Sequence, residues 1–137
     1  MRITKQALID ISKEQKNSDR GCTENLLNDV LIQARDHPSC KYIRVVSDWL
    51  YIELLNPGED YRSYEIEGLD SVILYATSVL QDQEGRFPFG TPVLTSCVKS
   101  YECQGLVETR NTLYVLYGPG LDLKVEYSDL FNGTWRI

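Results

Sequence analysis

The chain is poor in nearly every residue pattern that marks a reaction. Its 137 residues hold one histidine, His37, so any mechanism built on an imidazole base has to use it. Cys40 follows three residues later, but Pro38 stands between and breaks the helix, so the two side chains need not face each other. His37 reads instead as a cation at a helix C-terminus, where the dipole favours positive charge. Four cysteines, Cys22, Cys40, Cys97 and Cys103, are too sparse for a disulfide framework and read as reduced, buried thiols. The best zinc set would be His37 and Cys40 with Cys97 and Cys103. It lacks the closely spaced pairs of structural sites, so no metal is expected.

Other absences narrow the field further. No Gly-x4-Gly-Lys-Ser/Thr or Gly-x-Gly-x-x-Gly run is present to cradle phosphate, and no Gly-x-Ser-x-Gly elbow presents a nucleophilic serine. Gly118-Pro119-Gly120 is a turn between strands, not a strand-to-helix loop. No catalytic residue and no cofactor is assigned. No segment reaches the roughly 18 apolar residues of a membrane helix, and the N-terminus lacks a secretory apolar stretch, which points to a cytoplasmic protein. Bases are also scarce. Fourteen Lys and Arg against twenty Asp and Glu give a net charge of -6, an unfavourable balance for nucleic acid or anionic lipid.

What remains is an ordinary globular composition in one domain, residues 1–137, with 42% hydrophobic residues. Thr4 can cap a first helix carrying Ala7, Leu8 and Ile11, and Thr23 a second carrying Leu26, Leu27, Val30, Leu31 and Ala34. The pair suggests an N-terminal helical hairpin. Strand-like runs follow at Tyr42 to Val46 and Trp49 to Leu55, with Ser47-Asp48 as a tight hairpin or, alternatively, the bend of a single strand. Tyr61 to Ile66 reads as an edge strand. Gly68 to Gln83 suits either a buried strand or a helix, and its length favours a central helix capped by Asp70. Val93 to Val98, Leu106 to Glu108, Thr112 to Tyr117 and Leu121 to Tyr127 suggest a meander, with a last strand at Thr134 to Ile137. The fold class expected is α+β: helical hairpin, central helix and antiparallel sheet.

Charge placement carries the functional signal. Glu53 to Glu84 holds eight acids and one base, Arg62, while residues 1–20 hold five bases and three acids. The acidic stretch also carries Tyr61, Tyr64 and Tyr75 from a total of nine tyrosines. Carboxylates steer a basic partner and tyrosines anchor it once desolvated. The expected function is therefore a protein-binding module, such as an inhibitor, immunity-type protein or antitoxin, acting without catalysis. Glu59, Asp60, Tyr61, Tyr64, Glu65, Glu67 and Asp70 are its contact residues. The alternative is a small-ligand-binding domain or small enzyme with a pocket between sheet and helices, lined by Trp49 and Trp135 and served by Arg44, Arg62, Arg110 or Arg136. Homodimerisation through a sheet edge, at Thr112 to Tyr117 or Leu121 to Tyr127, is a third option.

Overall fold

The computed structural model describes residues 4–130, apart from the side chains of Lys5, Asp60, Tyr61, Ser63 and Cys103. The expected last strand, Trp135 and Arg136 lie outside the described residues. Helices α1 (Lys5–Ser12) and α2 (Leu27–Arg35, led in by a 3-10 turn at Glu24–Leu26) precede strand β1 (Tyr42–Leu55). A second 3-10 turn, Gly58–Tyr61, and a short helix α3 (Arg62–Ile66) lead to β2 (Val72–Asp82). Strands β3 (Val93–Leu94), β4 (Val98–Glu102), β5 (Leu106–Thr109), β6 (Thr112–Leu116) and β7 (Leu121–Glu126) follow, then a final turn of helix, α4 (Tyr127–Leu130).

The seven strands form one mixed, mainly antiparallel sheet, six of them in the order β3-β2-β1-β6-β5-β4 and β7 joined to β1 off that path. Its centre is β1, which pairs antiparallel with β2 along one side. On its other side the first half of β1 pairs in parallel with β6 and the second half in parallel with β7. The two edge strands, β3 and β4, are separated by only three residues, so the sheet has to curl until its edges approach. Thr95 N–H donates to Leu74 O at 2.9 Å and Asp70 N–H to Val98 O at 2.7 Å across that closure. The inside of the curl is an apolar core containing Val46, Trp49, Val72, Leu74, Val79, Val107 and Leu116.

Helix α1 forms as its sequence pattern requires, with the Thr4 hydroxyl accepting from Ala7 N–H at 3.1 Å. The expected helical hairpin is replaced by separate docking. Leu8 of α1 joins Leu50, Ile52, Ile73 and Tyr75, whereas Val30 and Ala34 of α2 join Ile43, Val45, Leu113 and Val115. The intervening segment is tied instead to the chain between β6 and β7. Ser18 N–H donates to Gly120 O and Cys22 N–H to Leu116 O.

Two other expectations are corrected, and one choice left open by the sequence is decided. Gly68 to Gln83 is not a central helix; its greater part is β2. Val72, Leu74 and Ala76 face the inner core while Ile73 and Tyr75 lie under α1. A strand covered on both faces loses its period of two and reads like a buried helix. Tyr61 to Ile66 is helical rather than an edge strand, because Pro57 and Gly58 (φ +66°) wind the chain into the 3-10 turn that α3 continues. Ser47-Asp48 is a bend within continuous β1, the alternative considered for it. Asp48 takes φ 50°, Ser47 is opposite Ser78, and Val46 and Trp49 both reach the inner core across the bend.

Trp49 locks this arrangement. Its indole is fully buried and Nε1 donates to Gly118 O at 3.1 Å. A Cβ placed on Gly120 would fall 2.3 Å from the ring, and one on Gly21 would fall 2.1 Å from Gly118 O. Glycine is required at both positions by close approach. Gly120→Ala is expected to lower unfolding stability by at least about 1–3 kcal/mol, the usual cost of overpacking, as read from the denaturant midpoint. An unchanged midpoint would show that the indole does not rest on this turn.

Candidate functional site

The acidic residues proposed from sequence do not form one strip. Antiparallel pairing of β1 with β2 puts Glu53 to Asp70 at one end of the sheet and Asp82 with Glu84 at the other. The latter two hold Arg44, which is 3% exposed and belongs inside the protein. Its Nη2 donates to Glu84 at 3.1 Å and its Nη1 to the Tyr114 hydroxyl at 2.7 Å. Its Nε lies 3.2 Å from Asp82 Oδ1 without the alignment of a hydrogen bond. The guanidinium also stands 4.6 Å from the Phe87 ring centroid. These two acids therefore neutralise a buried base and close one end of the core.

Glu53 lies near the end of β1, and the other five acids occupy an excursion, residues 56–71, between β1 and β2. Both its ends are fastened: Leu54 N–H donates to Ser71 O at 2.8 Å, and buried Leu69 anchors the return. Gly68, at φ +80°, ends α3 by donating to Glu65 O, while Leu69 N–H donates to Tyr64 O. Glu59, Glu65, Glu67 and Asp70 are exposed along it, and Ile66 is 82% exposed among them. The structure thus exposes an apolar side chain, absent from the expected contact set, on the same excursion as these carboxylates. Its signal was present in the sequence as an isoleucine flanked by Glu65 and Glu67.

Two expected contact residues are already engaged within the chain. Tyr64 packs half-buried against the core beneath α1, and the Arg110 guanidinium stands 5.3 Å from its ring centroid. Glu67 forms an ion pair with the same Arg110. Arg110 therefore clasps the excursion to the β5–β6 turn. The side chains of Asp60 and Tyr61 lie outside the described set.

The other candidate groups are also accounted for. His37 Nδ1 accepts from Ser39 N–H at 3.1 Å, which puts the ring proton on Nε2, 3.0 Å from Glu102. Cys40 is exposed, not buried as expected; its backbone N–H donates to His37 O at 3.2 Å, but its thiol is not among the partners of the His37 ring. Cys22 and Cys97 are buried, in separate clusters. Among the described residues no group of three or more His, Cys, Asp or Glu is placed to hold a metal ion. Trp49 is sealed in the core, so it lines no pocket, and Arg44 and Arg110 are committed as above. Of the two proposed dimer edges, Thr112–Leu116 is interior, lying between β1 and β5. Among the described residues strand β7 pairs only with β1, and its outer side carries a hydrogen bond from Asp122 N–H to Asn17 Oδ1. No helix among the described residues is long and apolar enough to cross a membrane.

These features define a small mixed α+β domain whose curled sheet presents one exposed acidic excursion. Residues 19–132 match the family described as a domain of unknown function, DUF6957, and the chain belongs to that family. The matched span takes in all seven strands and α2 and begins after α1. No curated protein and no solved structure matches the chain.

The ion cluster around Arg44 has a measurable pH signature. Burial alone would raise the Asp82 carboxyl, but the Phe87 N–H, the Arg44 guanidinium and the Glu84 N–H outweigh it and hold it below its ordinary value. The unfolded chain therefore binds this proton more readily than the folded one, so Asp82 contributes stability at higher pH. The stability gap between wild type and Asp82→Asn should be full above about pH 5 and shrink as pH falls through the depressed folded value. A gap independent of pH in denaturant titrations would contradict this assignment.

Proposed function

We propose that this protein is a small acidic cytosolic protein-binding module that docks a basic partner through the 56–71 excursion, without catalysis. An inhibitor, immunity-type protein or antitoxin would act in this way. The observation that carries the reading is Ile66, 82% exposed and flanked in the chain by the exposed Glu65 and Glu67, on an excursion that also carries the exposed Glu59 and Asp70. An exposed apolar side chain accompanied by charges is the layout of a recognition hot spot, where one desolvated anchor holds what the charges steer. The fastened ends of the excursion support the same reading, since a preformed surface loses little conformational freedom on binding. Arg110 supports it indirectly by holding Tyr64 and Glu67 in place. Asp60 and Tyr61 remain part of the proposed contact set.

The test is affinity capture from the native host, followed by binding measurements on the retained protein. A single stoichiometric protein with a basic surface should bind with an association rate that falls steeply as salt is raised. Replacing Glu59, Glu65 and Asp70 by Lys should slow association by about tenfold or more, as reversing a steering field does. Ile66→Ala should chiefly accelerate dissociation, since truncating an anchor acts on the off-rate. Reversal of Glu14 and Glu24, which lie elsewhere in the chain, should change neither rate by a comparable amount. A partner that binds all these variants alike would refute the placement.

A further inference from the structure

The curl of the sheet is incomplete at one end, and the gap is chemically specific. Strand β5, with β4 outside it, pairs with β6 but not with β7, so the inner face of β1, β2 and β7 opens into a cavity of about 500 Å³. That volume falls within the range of small-molecule sites. Register builds the lining: Tyr51 is opposite Asp122, and Glu53 is opposite both Lys124 and Val72. Arg20 enters from the segment bonded to Gly120. Its guanidinium lies 3.9 Å from the Tyr51 ring centroid and 5.0 Å from that of Tyr101, and Nε donates to Asp122 at 3.0 Å.

The unspent groups at this cavity are of both signs. The two Nη groups of Arg20 have no acceptor among the described residues. Glu53 and Lys124, although opposite each other on neighbouring strands, form no ion pair with one another or with another described residue. The four charged side chains, Arg20, Lys124, Glu53 and Asp122, sum to zero. An anion would meet two carboxylates and a cation two bases, whereas a ligand carrying one charge of each sign satisfies both sets.

The geometry points to a binding site for a small zwitterion of the α-amino-acid class. Its carboxylate is held by Arg20 and Lys124, its ammonium by Glu53, and its apolar side chain by Tyr51 and Val72. A charge-assisted contact at each end and an aromatic wall give orientation as well as affinity. A phosphate dianion is disfavoured, because nothing would offset its second charge beside Glu53 and Asp122. The site is separate from the Ile66 surface and stands or falls independently of it.

Titration of the 15N-labelled full chain with L-leucine and with L-phenylalanine, followed by amide NMR, tests the assignment. At least one should shift the Tyr51, Glu53 and Leu123 amides with a Kd of about 1 mM or tighter, a reasonable affinity for so small a ligand. Glu53→Gln and Lys124→Met change exposed side chains and leave the fold readable in the same spectra. Each should weaken binding about tenfold, the scale of one charge-assisted hydrogen bond. The N-acetyl derivative of whichever amino acid binds should be weakened by Lys124→Met but not further by Glu53→Gln, since it no longer carries the ammonium. Absence of localised shifts with both amino acids, or equal affinities for wild type and the two variants, would overturn the proposal.

Discussion

The contact between Trp49 and two glycines holds together segments that sequence separates widely. The indole sits where β1 bends, and the backbone at Gly21 and Gly120 packs against it at distances no Cβ would permit. This single residue therefore fixes the N-terminal segment, the bend of the longest strand and the crossing from β6 to β7. Close packing of this sort tolerates little change in volume, because the neighbours are backbone and cannot swing aside. The position of Arg20 over Tyr51 follows from it, since Arg20 adjoins Gly21. The open cavity and the closed core are consequences of the same crossing.

Two arginines mark the two ends of the curled sheet, and they are used differently. Arg44 is enclosed, with carboxylates, a phenol and a phenyl ring around it. A buried base of this kind is tolerable because its charge is met locally, even with Nε left without an aligned acceptor, and removing one partner would leave an expensive uncompensated charge. Arg20 lies at the open end, stacked on tyrosine and bonded through one nitrogen only. The same residue type thus serves as a plug where the sheet is covered and as a donor surface where it is not. Neither role follows from net charge, which would merely call both residues minority bases in an acidic protein.

Much of the fold was legible where local chemistry decides the outcome. Thr4, Leu8 and Ile11 announced α1, and Leu106 to Leu116 announced two antiparallel strands, because capping and alternation act over a few residues. The central misreading, at Gly68 to Gln83, came from Val72, Ile73, Leu74, Tyr75 and Ala76, all buried. A strand covered on both sides presents no polar face from which a period could be read. The acidic excursion was visible as composition, but its exposed apolar residue, Ile66, was hidden among charges. The division of the acids between two ends of the sheet could not be seen at all, since it depends on β1 and β2 running in opposite directions. Likewise, nothing in the order of residues announces that Glu53 and Lys124 are neighbours.

The parallel pairing of β1 bears on how the chain reaches this state. On one side, β1 finds β2 through a connection of modest length. On the other, both its partners come from roughly seventy residues further along the chain, so that flank stays unpaired until β6 and β7 have emerged. Pairings so distant demand large loop closures before they return any stabilisation, and they slow folding. During synthesis, a long apolar ribbon with one naked edge would precede the finished domain, making the nascent chain a natural client for helpers that shield such edges.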